Sequence, residues 1–159
     1  MSDEEDDLPE PEPEPEPRIF TLSEAERTRQ EVEPLLTQAV DCQRKLAVVE
    51  KDLSAASARI MMMGGVLVPY DKLAKSRLQQ EHLTETIREA IDRIHSTGCL
   101  VKDLDSGLLD FPAIIDNEEV YLCWKLGEDR IRFYHRQDEG FSARKPLDPR
   151  REGPGENVQ

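Results

Sequence analysis

From Ala25 onward, small and apolar residues recur in alternating steps of three and four: Ala25, Thr28, Val32, Leu35, Ala39, Cys42, Leu46, Val49, Leu53, Ala56, Ile60 and Met63. That spacing predicts one long helix carrying a heptad seam, with Thr28 its polar member. Thr21-Leu22-Ser23-Glu24 just ahead of the seam matches a capping box, the threonine receiving backbone N–H groups and the glutamate reaching back. Pro34 lies off the seam but inside the helix, so a bend or irregular turn is expected near residues 30–32. Gly64-Gly65 ends the helix, because glycine accepts the left-handed conformation of a C-terminal cap. After a short loop through Pro69, a second helix is expected from near Asp71. Leu73, Leu78, Leu83, Ile87, Ala90, Ile91 and Ile94 lie on its broad apolar face, and Gly98 stops it. Two long helices joined by a short loop fold back as an antiparallel hairpin.

Beyond Gly98 the period changes to two. Residues 100–104, 108–115, 120–125 and 131–135 read as strands, separated by the turn sequences Asp105-Ser106-Gly107, Asp116-Asn117 and Gly127-Glu128-Asp129. Consecutive strands with short turns make an antiparallel meander, whose apolar face must be covered, and the hairpin can cover it. The fold class expected is therefore α+β: a long antiparallel helical hairpin followed by a small C-terminal antiparallel β-meander. Residues 19–98 form the hairpin and residues 99–147 the sheet region. Residues 148–159, rich in Pro, Gly and charge, are expected to be a disordered tail.

Composition changes this picture at the N-terminus. The 159 residues carry a net charge of −13, yet residues 1–17 alone hold nine acidic residues and no basic one, leaving 25 acidic against 21 basic in the body. Residues 9–17 alternate strictly between Pro and Glu, which extends the chain and offers nothing apolar to bury. Residues 1–18 are therefore expected to be a disordered acidic tail acting as a solvated spacer. A near-neutral body with an acidic arm speaks against a nucleic-acid partner, which needs clustered Lys and Arg. No run approaches the roughly 18 apolar residues of a membrane span, and the acidic start is unlike a signal peptide, so a cytoplasmic location is expected. Three cysteines, Cys42, Cys99 and Cys123, form no pairing pattern and read as reduced thiols.

The order of the C-terminal residues is specific. Val101-Lys102-Asp103-Leu104-Asp105-Ser106-Gly107-Leu108-Leu109-Asp110-Phe111-Pro112-Ala113 is followed by Val120-Tyr121-Leu122-Cys123-Trp124-Lys125-Leu126-Gly127-Glu128, residues 131–135, Gly140-Phe141 and Arg144-Lys145-Pro146-Leu147. With the Phe20-Thr21-Leu22 helix start, this resembles the bacterial family known only as domain of unknown function 2203, over roughly residues 19–147. The resemblance implies the same hairpin-plus-sheet fold and brings no activity with it.

Candidate chemistry gathers in the β-region: Asp103, Asp105, Asp110, Cys123, Glu128, His135, Asp138 and Arg144. Alternation puts Tyr121 and Cys123 on one face of their strand, and Ile131, Phe133 and His135 on one face of the next, so Cys123 and His135 can be neighbours. A soft metal ion would accept that pair but needs three or four donors. No Cys-x-x-Cys or His-x-x-x-His spacing supplies them, so Cys123 reads first as a small core residue. Asp105-Ser106-Gly107 reads first as a turn rather than part of an acid–base pair. Met61, Met62 and Met63 read as apolar packing at the helix tip, and His95 as a favourable charge at a helix C-terminus.

The seam is longer than the second helix, and the flanking Leu36, Val40 and Val48 make it wider than one neighbour needs. The sequence therefore reads first as a non-catalytic interaction or scaffolding protein, with no cofactor, that dimerises through helix 1. Val32, Leu35, Leu46, Val49, Leu53 and Ile60 are the interface residues of that reading, with a further, unidentified protein partner. The alternative is a small metal- or ligand-binding protein or enzyme with a site at the rim of the β-region, formed by Asp110, Cys123, Glu128, His135 and Arg144.

Overall fold

A computed structural model of the chain describes residues 18–64 and 69–147. Of the tails expected at residues 1–18 and 148–159, all but Arg18 lies outside the described residues, as does most of the loop between the helices. The element order is α1 (Leu22–Met62), α2 (Tyr70–Ser96), β1 (Leu100–Asp103), β2 (Leu108–Ile115), β3 (Glu118–Lys125), β4 (Phe133–Arg136), a short 3-10 turn (Phe141–Ala143) and β5 (Lys145–Pro146). The fold is α+β, a helical hairpin followed by a five-stranded antiparallel sheet in the order β1-β2-β3-β4-β5.

Thr21 caps α1 as its sequence predicts, its side-chain oxygen accepting from the Glu24 N–H at 3.2 Å. No irregular turn interrupts α1 near residues 30–32, where the sequence predicts a bend or irregular turn, and the helix runs through Pro34. Proline leaves the Gln30 carbonyl without its helical donor, and Gln30 is exposed, so water can satisfy it. Strand boundaries differ modestly: β3 begins earlier, at Glu118, and β4 later, at Phe133, so Ile131 lies ahead of the strand and is buried in the helix-side core rather than sharing a face with His135. β5, which the period of two did not reveal, pairs only Lys145 and Pro146 with β4. Asp116 and Asn117 both take positive φ (51° and 65°), the two-residue hairpin turn that sets the β2–β3 register.

Much of the wide stripe on α1 is covered inside the chain, although Val48 stays 60% exposed. Val32, Leu36 and Val40 pack with Leu109, Phe111, Ala113, Leu122 and Trp124 of the sheet, together with Phe20 and Ile94. Leu46 and Val49 form a second cluster with Leu83 and Ile87 of α2. The α1 surface thus has two intramolecular neighbours along its first half, the sheet and α2. Of the seam positions read as an interface, Val32, Leu46 and Val49 are buried here, while Leu35, Leu53 and Ile60 are half-buried. Farther out both helices run beyond the sheet. There Met61, Met62 and Met63 are 83%, 88% and 68% exposed, so they are not packed as their sequence suggested.

The N-terminus of α1 is tied to the sheet by polar contacts. Glu26 accepts from the backbone N–H of Ile131, and the buried Arg29 pairs with Glu26 and Glu33 at 3.0 and 2.9 Å. The Arg29 guanidinium also lies 5.5 Å from the Trp124 ring. One face of the sheet is therefore closed by the helices. Asp110, Cys123 and His135 lie on the other.

Candidate metal centre

Strand alternation sends Leu109, Phe111, Ala113, Val120, Leu122 and Trp124 into the helical core, and sends Asp110, Pro112, Tyr121 and Cys123 to the opposite face. Asp110 pairs directly with Cys123, and Tyr121 with His135. His135 reaches across β3, and its Nε2 lies 3.0 and 3.1 Å from the two Asp110 carboxylate oxygens. The donor atoms of Asp110, Cys123 and His135 all lie within 4.8 Å of one another. All three residues are buried, at 1%, 0% and 4% exposure. Cys123 is thus buried as expected of a small core residue, yet it belongs to neither apolar cluster and sits among polar groups instead. The site also lies in the middle of the sheet face rather than on a rim of strand ends.

The protonation chemistry is unusual for an apolar environment. Burial pushes the Asp110 carboxyl above its ordinary range, and His135 opposes that shift by charge and hydrogen bonding. Burial, with Asp110 beside it, pushes the Cys123 thiol up to about 12, while Arg144 pulls the other way. That thiol is therefore protonated and not a nucleophile at neutral pH. His135 Nδ1 lies 2.8 Å from the Arg136 carbonyl oxygen, which can only accept, so Nδ1 carries a proton. The contact between Nε2 and Asp110 then needs a proton of its own, held between the two groups.

Glu128 and Arg144 stand beside this group rather than in it. They pair at 2.8 Å, and Glu128 also accepts from the Lys125 backbone N–H at 2.7 Å. The Arg144 guanidinium is stacked against Phe133 and Phe141, 4.2 and 4.1 Å from their ring centres. Lys102, missed by sequence reasoning, places its ammonium 4.8 Å from the Tyr121 ring centre and is among the charges favouring ionised Asp110. Lys102 stands at an irregularity in the β1–β2 pairing, between Val101 and Asp103, where strict alternation no longer decides which face a residue takes.

The other candidates fall elsewhere. Asp103 accepts from the Asp105 N–H and the Ser106 hydroxyl at 3.1 and 2.6 Å, and the Ser106 bond holds its carboxyl below the usual range. It is a turn residue, as its sequence suggests. Asp105, Asp138 and His82 are exposed, and His95 accepts at Nε2 from the Val101 N–H at 3.2 Å. No helix among the described residues is long and apolar enough to cross a membrane.

The chain belongs to the family described as "Uncharacterized conserved protein (DUF2203)", whose model matches residues 18–147. That span coincides with the hairpin and sheet together. No curated protein and no solved structure matches the chain.

Proposed function

We propose that this chain is a metal-binding protein, holding a divalent ion of borderline softness such as zinc between Asp110, Cys123 and His135. The observation that carries the reading is the convergence of one oxygen, one sulfur and one nitrogen donor within 4.8 Å in a buried site. Tetrahedral zinc bonds would separate the donors by about 3.5 Å, so small side-chain rotations suffice. Mixed thiolate, imidazole and carboxylate donors favour zinc over magnesium or calcium. The Nδ1–H of His135 is already directed to the Arg136 carbonyl, which orients a ligating imidazole and fixes Nε2 as the donor. A divalent ion would replace the proton between Asp110 and His135 and the thiol proton of Cys123. Its two charges would balance one carboxylate and one thiolate. Three protein donors leave a coordination position for water or a ligand.

The test is zinc uptake by the full chain after chelator treatment, read by native mass spectrometry and competition with a coloured chelator. One ion per chain is expected, lost in Cys123→Ala and His135→Ala variants that keep their helical circular dichroism. A folded wild-type chain that takes up no zinc overturns the reading.

A second reading, self-association through helix 1, is favoured by the outer half of the hairpin. There a cleft of about 650 Å³ opens between the helices, lined by Leu53, Ile60, Tyr70, Leu73 and Ala74 among others. Leu78 and Tyr70 beside it are 65% and 75% exposed. The interface of this reading is the outer end of the seam, and the occupant is the same arm of a second copy in a four-helix arrangement. The native mass of the wild type and of a Leu53→Asp/Leu73→Asp variant tests it: a dimer that becomes a monomer supports it, and a wild-type monomer overturns it.

A further inference from the structure

The hairpin ends in a surface that neither the sheet nor the candidate metal centre uses. Ile60 and Tyr70 line the same outer cleft, so the last turn of α1 and the first turn of α2 stand side by side. Met61, Met62, Met63 and Tyr70 are all exposed there. Successive helical residues point about 100° apart, so Met61, Met62 and the capping Met63 spread round the helix end rather than along one stripe. A groove on a folded partner accepts a stripe, whereas an apolar end fits into a fluid apolar layer.

Charge separates this end from the rest of the chain. Between Leu53 and Gln80, which line the cleft, lie Arg59, Lys72, Lys75 and Arg77 and one acidic residue, Asp71. That is a net +3 in a chain of net −13, so the remainder carries −16. All four cations are exposed, and among the described residues none of them is in an ion pair. Asp71 sits in the first turn of α2, where the positive end of the helix offsets it. With about 1.5 Å of rise per residue, Arg59, Lys72 and Lys75 stand within about 8 Å of the tip along the helix axes. Long basic side chains at that level reach lipid headgroups, while methionine and tyrosine enter the layer beneath.

We propose that the tip of the hairpin docks end-on to an anionic lipid bilayer, with Met61, Met62, Met63 and Tyr70 entering its interface and Arg59, Lys72 and Lys75 pairing with phosphate headgroups. The attachment is to the bilayer surface, since no helix among the described residues is long and apolar enough to cross it. The same surface repels the acidic remainder of the chain, which leaves the basic tip as the end that approaches. This docking is independent of the metal reading, and it uses the end of the arm rather than the cleft between the helices.

The experiment is flotation of the full chain with vesicles of phosphatidylcholine and phosphatidylglycerol in equal parts, and with vesicles of phosphatidylcholine alone. Binding to the anionic vesicles is expected to be at least about tenfold tighter than to the neutral ones, and to weaken as salt is raised. Lys72→Gln/Lys75→Gln should weaken it about tenfold or more, since each basic residue near an anionic surface is worth about fivefold in affinity. Met61→Ser/Met62→Ser/Met63→Ser should weaken it at least about tenfold, at exposed positions whose change leaves the helical circular dichroism intact. No binding to the anionic vesicles overturns the proposal, as does equal binding to both kinds of vesicle. Anionic binding unchanged in either variant overturns it too. A wild-type dimer that becomes a monomer in the methionine variant, with no vesicle binding, overturns it in favour of a second copy at this surface.

Discussion

Asp110 and His135 sit on strands that are not neighbours, yet the carboxylate and the imidazole Nε2 meet at 3.0 Å over the face of β3. The strand between them contributes Cys123 to the same point. A buried carboxylate, imidazole and thiol in mutual contact would be a costly way to fill a sheet face that apolar side chains could fill. The metal reading supplies a use for that arrangement, and its chemistry can be probed without knowing the ligand.

Metal affinity should rise with pH. Binding displaces the Cys123 thiol proton, held up to about 12 without metal, together with the proton shared by Asp110 and His135. Calorimetry in buffers of different ionisation enthalpy should register proton release on zinc binding, with weaker binding at about pH 6 than at about pH 8. Affinity independent of pH would contradict the displacement.

Asp110→Asn should change the pH dependence of folding in the metal-free chain. Burial raises the folded pKa of Asp110 above its unfolded value. Its stabilising contribution is therefore complete below the unfolded carboxylate range and is lost as pH rises through the folded value. Asparagine has no such loss. Urea unfolding should show the variant gaining on the parent as pH rises above the unfolded carboxylate range; a variant that loses ground there would refute the sign.

The β2–β3 turn gives a backbone test. Asn117 holds φ at 65°, a region that asparagine tolerates and β-branched residues resist. Asn117→Val should cost about 1–2 kcal/mol in urea unfolding, with the metal-free fold retained.

Gly107 is constrained by both conformation and space. Its φ is +69°, and a Cβ there would lie 2.7 Å from the Leu126 Cβ. Gly107→Ala should therefore destabilise by at least about 1–2 kcal/mol, whereas Gly140→Ala, where a Cβ meets nothing within 4 Å and φ is −109°, should be near neutral.

Position along α1 should decide the cost of truncation. Leu36 is fully buried against the sheet, while Leu53 is half-buried in the outer hairpin. Leu36→Ala should cost about 2–5 kcal/mol, and Leu53→Ala clearly less in the monomer. Trp124, the chain's single tryptophan and fully buried, reports unfolding by fluorescence.

Much of the architecture is local and was legible from the order of residues. Steps of three and four wrote α1 and α2, the threonine of Thr21-Leu22-Ser23-Glu24 capped α1, and alternation wrote β2 and most of β3, because each depends on neighbours a few positions away. The positive φ at Asp116 and Asn117 follows from the residue types at that turn. What covers the flanks of the seam is not local. Leu36 and Val40 looked like surplus surface because a one-dimensional pattern does not say that a sheet formed far later in the chain, from Leu109 onward, packs there. The same holds for the site. Residues 110, 123 and 135 match no metal spacing rule, and they meet only because two antiparallel registers place them in adjacent rows on one face. A one-residue slip in either register would turn a donor toward the helices, so cross-strand pairing and packing, not spacing along the chain, create the candidate site.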